Sequence, residues 1–109
     1  MTKMLLFKPE LGTLKIINYP EDGSITELVK DERVHTWKVI IDDVVYTFWV
    51  GNNSKSTNLW SFYTKSTDEC LYGNIVIESA EARDINAEDI LRIKSHIVVN
   101  PKGYMIYIE

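Results

Sequence analysis

The chain has very few of the residues from which metal sites and covalent catalytic sites are built. Its 109 residues include one cysteine, Cys70, and two histidines, His35 and His96. A single cysteine excludes an intramolecular disulfide and a cysteine-based metal cluster. The histidines lie 61 positions apart, a spacing that predicts no zinc site. No local motif joins Cys70 to a histidine as nucleophile and base, so we predict neither a metal nor another cofactor.

Long apolar runs are also missing. The first run, Met4–Phe7, is too short for the core of a signal peptide or for a membrane span. Together with the single cysteine, this favours a cytoplasmic protein without membrane association. The content of 45% apolar and 26% charged residues is ordinary for a globular protein, and we expect one domain over residues 1–109. Frequent isoleucine, scarce alanine and nine lysines against three arginines hint at a low-GC or phage genome.

Residues His35–Val50 form the clearest β-hairpin of the sequence. A two-residue turn at Asp42-Asp43 would place Trp37 opposite Phe48, with further apolar pairs on the same face. That face is predicted to form a wall of the core. The opposite face carries Trp49 and becomes more polar away from the turn.

Further strands and one helix are predicted along the chain. The strands, separated by turns rich in proline, glycine and polar residues, are Met4–Phe7, Thr13–Tyr19, Ser24–Val29, Leu59–Tyr63, Leu71–Glu78 with a bulge at Gly73-Asn74, Ile97–Val99 and Tyr104–Ile108. Residues Gly51–Asn58 are expected to form an exposed loop. Asn86 is a favourable N-cap, and Glu88 and Asp89 complement the helix dipole in the following turn, which predicts a helix at Ala87–Ser95.

The predicted fold class is therefore α+β. We expect a mainly antiparallel β-sheet of six to eight strands, built from consecutive hairpins, with one short helix near residues 87–95 packed on a face. An open edge strand of such a sheet could also pair two copies into a homodimer.

The formal net charge of −4 is concentrated in one segment. Its acidic residues are Glu78, Glu81, Asp84, Glu88 and Asp89, accompanied by one arginine, whereas the rest of the chain is neutral. Three interpretations are open. The segment is a solvated approach to a helix, a surface that docks on a basic partner, or a cluster that binds a divalent cation, although its spacing matches no known cation loop.

Aromatic residues outnumber what one small core needs. They include Trp49, Trp60, Tyr63, Tyr72 and Tyr107. Aromatic side chains on half-buried strands usually pack in the core, but exposed tryptophans commonly anchor protein interfaces. We therefore select Trp49 and Trp60, with the acidic segment, as the candidate partner-binding residues.

These features favour a non-enzymatic protein-binding module whose partner has a basic surface, such as a small cytoplasmic inhibitor or immunity-type protein from a low-GC or phage genome. One alternative is a binder of small ligands or single-stranded nucleic acid that uses the face of Trp49 with Lys38 and Lys55, although net acidity counts against nucleic acid. Another is a small hydrolase that uses His35 or His96.

Overall fold

A computed structural model describes residues 2–9, 12–51, 60–64 and 69–99. This part of the chain has an α+β fold that is mostly sheet. Its elements are β1 (Thr2–Lys8), β2 (Thr13–Tyr19), α1 (Ile25–Val29), β3 (Val34–Ile41), β4 (Val44–Gly51), β5 (Trp60–Thr64), β6 (Glu69–Tyr72), β7 (Ile75–Ser79), α2 (Ala87–His96) and β8 (Ile97–Val99). The main antiparallel sheet has five strands in the order β2-β1-β7-β4-β3, and a second sheet has three in the order β6-β5-β8.

The β3–β4 hairpin confirms the predicted register. Trp37 lies opposite Phe48, and Ile41 lies opposite Val44 next to the turn. Asp42 and Asp43 have φ angles of 50° and 65°. Positive φ angles at both central positions are characteristic of a type I′ turn, whose twist matches that of the flanking strands. The predicted two-residue connection is therefore also confirmed.

Both faces of the main sheet carry core side chains. On the α2 face, buried residues of the sheet pack against residues of β6, α2 and the loop that precedes α2; the cluster includes Leu5, Phe7, Ile41, Tyr46, Phe48, Val50, Leu71, Ile75, Ile77, Ile85 and Ile93. On the α1 face, helix α1 packs against a second cluster of Met4, Leu6, Ile17, Val29 and Val76, with Trp49 at its margin. Because both faces are partly covered, the sheet is a central layer.

The prediction of a strand at Ser24–Val29 is wrong. Residues Ile25–Val29 form helix α1, and Ser24 is its N-cap. The Ser24 side chain accepts a hydrogen bond from the Glu27 amide, and the Glu27 carboxylate accepts one from the Ser24 amide. This reciprocal capping box satisfies amides that a helix start leaves unpaired. The structure therefore has two described helices, where the sequence predicted one.

The prediction of one strand with a bulge at Leu71–Glu78 is also wrong, because this segment contains parts of two strands in different sheets. The chain leaves the second sheet after Tyr72 and enters the main sheet at Ile75. Gly73 has a φ of 76°, a conformation that glycine adopts without steric cost. The buried Asn74 side chain donates a hydrogen bond to the carbonyl of Leu28, at 3.0 Å, and so fixes the crossing between the sheets to α1.

Strand order in the main sheet differs from a series of consecutive hairpins, because β7 lies between β1 and β4. The eight strands of the described residues are divided between two sheets of five and three, so a single sheet of six to eight strands is not confirmed. The crossing from β2 to β3, which contains α1, joins the two outer strands of the main sheet. Within this crossing, helix α1 packs on β4, β7 and β3.

Helix α2 confirms the predicted helix to within one residue. Asn86 accepts a hydrogen bond from the Asp89 amide at 3.1 Å, as expected of an N-cap. The predicted loop after Gly51 and the second strand of the C-terminal hairpin, Tyr104–Ile108, lie outside the described residues. Neither described helix is long and apolar enough to cross a membrane.

Candidate functional site

The part of the α1 face nearest the hairpin turn is accessible to solvent. Helix α1 packs on the strands further from this turn, with Val34 at the start of β3 among its neighbours. Towards the turn, Thr36, Lys38 and Ile40 are exposed, and Ile40 retains 65% of its accessible surface. A single exposed aliphatic side chain is common on protein surfaces, so Ile40 bears on function only together with its neighbours on the same face.

Two hydrogen bonds organise this part of the sheet. The Trp49 indole Nε1 donates to Oε1 of Glu78 at 2.8 Å, and Lys38 Nζ donates to Oγ1 of Thr47 at 2.6 Å. Lys38, Thr47 and Glu78 form one row across β3, β4 and β7. The structure therefore brings together two predicted site residues, Trp49 and Glu78. We call Lys38, Ile40, Trp49 and Glu78 the hairpin surface.

The acidic loop, residues 80–86, continues from the hairpin surface. The Ala80 amide donates to the carbonyl of Val45 at 3.1 Å, and Val45 is the register partner of Ile40. Ile40, Val45 and Ala80 therefore lie side by side, and the acidic loop begins next to the hairpin surface. Glu81 follows directly and is exposed.

Two hydrogen bonds to Lys3 hold the second half of the acidic loop against β1. The Lys3 amide donates to Oδ1 of Asp84 at 2.9 Å, and the Ile85 amide donates to the Lys3 carbonyl at 3.0 Å. Ile85 is buried in the core, which anchors the loop. Asp84 and Glu88 remain exposed. We call Glu81, Asp84 and Glu88 the acidic surface.

Asp89 differs from the other predicted acidic residues because its side chain is only 1% exposed. Arg83 donates to both carboxylate oxygens, with Nη2 2.7 Å from Oδ1 and Nη1 2.8 Å from Oδ2. Arg92 Nη1 lies 3.0 Å from Oδ1, and the Tyr46 hydroxyl donates to Oδ1 at 2.5 Å. This network joins α2 and the acidic loop to β4, so we assign Asp89 a structural role.

The charges of this network stabilise one another. Hydrogen bonds from Arg83, and further ones from Tyr46 and the Asn86 amide, hold the pKa of Asp89 well below its ordinary value. Burial, with the hydrogen bond to Asp89, raises the pKa of Tyr46. Tyr46 is thus held as a neutral donor and Asp89 as an anion. The arrangement presents a satisfied ion pair rather than a group poised to transfer a proton.

The remaining candidate residues are dispersed. Trp60 is the first residue of β5, and its side chain lies outside the part that the structure describes. His35 is on β3, His96 is the last residue of α2 and Cys70 is on β6. Among the described residues, no group of three or more His, Cys, Asp and Glu side chains could hold a metal ion.

Tyr46, Arg83 and Arg92 belong to the cluster around Asp89 without being marked as such by the sequence. Arg92 follows Asp89 by three positions, which is a recognisable spacing on a helix. Tyr46, by contrast, lies 43 positions away from Asp89, and no local pattern joins the two.

Comparisons with protein-family models, curated proteins and solved structures find no significant match to this chain. The hairpin surface and the acidic surface are therefore the features of the described residues that bear on function.

Proposed function

We propose that the protein is a non-enzymatic binding module that docks on a protein partner with a basic surface. A small cytoplasmic inhibitor or immunity-type protein, encoded by a low-GC or phage genome, would act in this way by blocking its partner stoichiometrically. The observation that carries the proposal is the exposed acidic surface, whose neighbouring arginines are already committed to a buried carboxylate.

The pairing of charges supports this proposal. Arg83 and Arg92 both bind Asp89. Within the described residues, no ion pair involves Glu81, Asp84 or Glu88. Their charges therefore face solvent and attract a basic surface over roughly 8 Å at physiological salt. Attraction of this kind mainly accelerates association.

The hairpin surface supplies the apolar part of the proposed interface. Ile40 is exposed, and the half-buried Trp49 is oriented by its hydrogen bond to Glu78. Tryptophan is enriched among residues that dominate binding energy, whereas surrounding charges contribute more to rate and specificity. The hairpin surface would hold the partner that the acidic surface attracts.

Affinity capture of the tagged protein from lysate of its host, followed by mass spectrometry, would identify the partner. The test variant is Glu81→Lys/Glu88→Lys, which spares Asp84 because its carboxylate binds the Lys3 amide. We expect slower association with the purified partner and a weaker dependence of that rate on salt, because the attraction is lost.

The matched control is Glu21→Lys/Glu32→Lys, which reverses two exposed acidic residues outside the acidic surface. This variant should retain the association rate far better. Equal rates and salt dependence for the test variant and the unaltered protein would remove the acidic surface from the proposed interface. Trp49→Phe should leave association fast and accelerate dissociation.

A second candidate function is binding of a small ligand or single-stranded nucleic acid. It is favoured by the position of Lys38 beside the partly exposed Trp49 on one face, since bases stack on aromatic rings near cations. Titration with nucleotides and oligonucleotides should then quench tryptophan fluorescence, and Trp49→Phe should abolish the quenching. Fluorescence that does not change on titration would count against this candidate.

A further inference from the structure

Strand β3 is an outer strand of the main sheet, and within the described residues its only strand partner is β4. The turn at Asp42-Asp43 is closed by the pair of Ile41 with Val44, which makes that pair hydrogen-bonded. Alternate residues along β3 therefore direct their amides and carbonyls away from β4. These residues are Thr36, Lys38 and Ile40, the exposed residues of the α1 face. The edge is thus able to accept another strand.

The segment of this edge next to the hairpin turn is complementary in charge to the same segment of a second copy. Residues 38–42 read Lys-Val-Ile-Ile-Asp, with Ile40 at the centre. In an antiparallel pair of two such segments centred on Ile40, residues 39–41 of the two copies pair as strands, and each Lys38 faces Asp42, the first turn residue of the other copy. The exposed Ile40 side chains meet at the two-fold axis. One apolar cross-strand pair and two contacts of opposite charge between Lys38 and the turn residue Asp42 therefore form together.

Charge disfavours the two registers that are centred on the middle of β3. Centring the pair on Lys38 sets the two lysines directly opposite each other, and centring it on Trp37 sets them on adjacent diagonal positions. Both arrangements bring like charges together on one face of the sheet. Asp42 is exposed, and the neighbouring Arg92 is already bound to Tyr46 and Asp89. Asp42 is therefore accessible to a lysine from a second copy.

We propose that two copies of the protein form a two-fold symmetric dimer by antiparallel pairing of their β3 edges about Ile40. The two main sheets become one continuous sheet, to which each copy contributes its five described strands. This inference goes beyond the proposed function, because docking on a basic partner requires no second copy. In the dimer, Lys38 and Ile40 of the hairpin surface contact the second copy, and Trp49 and Glu78 are the members of that surface left for a partner. Isologous pairing of this kind is the commonest arrangement among homo-oligomers.

Charge exchange between two variants tests the dimer and its register. Lys38→Asp creates two Asp–Asp pairs in a homodimer, and Asp42→Lys creates two Lys–Lys pairs. Each variant alone should dimerise at least roughly tenfold more weakly than the unaltered protein. In an equimolar mixture, each aspartate at position 38 faces a lysine at position 42, and the remaining pair is native. The mixture should therefore recover a heterodimer.

Sedimentation velocity over a range of concentrations provides the measurement, and far-ultraviolet circular dichroism confirms that each variant is folded. Lys15→Asp, which reverses an exposed lysine on the opposite edge strand β2, is the matched control and should dimerise normally. A monomeric unaltered protein at millimolar concentration would overturn the proposal. Dimers that persist in both single variants, or a mixture that stays monomeric, would overturn it as well.

A crosslink keeps the proposal testable if Asp42→Lys does not fold. In a hydrogen-bonded antiparallel pair the opposed Cα atoms lie about 5.5 Å apart, within the range that a disulfide spans. Ile40→Cys, made together with Cys70→Ser, should form a covalent dimer on mild oxidation. Thr36→Cys in the same background should not. Equal crosslinking at both positions would contradict a register centred on Ile40.

Discussion

The hydroxyl of Tyr46 donates a hydrogen bond of 2.5 Å to Oδ1 of Asp89, and this bond joins the main sheet directly to α2. Both residues are almost completely inaccessible to solvent. Arg83 and Arg92, which are partly exposed, form ion pairs with the same carboxylate from its solvent side. The hydrogen-bonded ion pair therefore lies at the boundary between the core and the solvent.

Removing the charge of Asp89 should destabilise the protein. We expect Asp89→Asn to lower the free energy of unfolding by about 2–4 kcal/mol, because an amide cannot accept from all the donors that surround the carboxylate. Urea unfolding followed by tryptophan fluorescence measures this. Glu88→Gln is the matched control and should change stability by less than about 0.5 kcal/mol, since Glu88 is exposed. Equal stability of both variants would show that the network contributes little.

The same network predicts a dependence of stability on acid. The pKa of Asp89 in the folded protein is lowered from its ordinary value of 3.8, so the ionised carboxylate stabilises the fold above that value. This stabilisation is lost as the pH falls from about 4 towards the folded-state pKa. Urea unfolding at pH values between neutrality and about 3 should show the gap between the unaltered protein and Asp89→Asn narrowing below pH 4. A constant gap would contradict the assignment.

The capping box of α1 should contribute measurably although the helix has only five residues. Ser24→Ala removes the acceptor for the Glu27 amide and should cost about 0.5–2 kcal/mol. Ser24→Asp keeps an N-cap acceptor and should retain most of the stability. Thermal unfolding of the two variants compares them directly. Indistinguishable melting temperatures would indicate that packing of Val29 alone holds the helix.

The hairpin turn offers a stabilising substitution. Asp43 has a φ of 65°, and the second position of a mirror-image turn is most favourable for glycine. Asp43→Gly should therefore raise the free energy of unfolding by about 0.5–1 kcal/mol, whereas Asp43→Val should lower it by at least about 1 kcal/mol. Chemical denaturation of the pair tests the turn assignment, and the opposite order of stability would refute it.

Local signals account for the parts of the fold that the sequence predicts well. Alternation around Asp42-Asp43 fixes the β3–β4 register, and Asn86 marks the start of α2. The capping box of Ser24 and Glu27 is a further local signal, but it does not enter the prediction for this segment. The apolar residues at Ile25 and Val29 fit a half-buried strand equally well over so short a segment, which explains why α1 was predicted as a strand.

Long-range pairing accounts for what the sequence does not reveal. Trp49 and Lys38 are predictable neighbours because they lie in one hairpin. Glu78 joins them only because β7 pairs with β4, and no pattern within either strand specifies that partner. The burial of Asp89 likewise depends on Tyr46 from a different element, so its acidic character alone suggested a surface residue.

The position of β7 has a consequence for synthesis of the protein. The two hairpins β1–β2 and β3–β4 are complete by Gly51, yet the strand that joins them spans Ile75–Ser79. Until that strand has emerged from the ribosome, both hairpins carry an unsatisfied inner edge. While the residues between Gly51 and Ile75 are translated, β1 and β4 of the nascent chain each have an unpaired edge that can pair with a wrong strand.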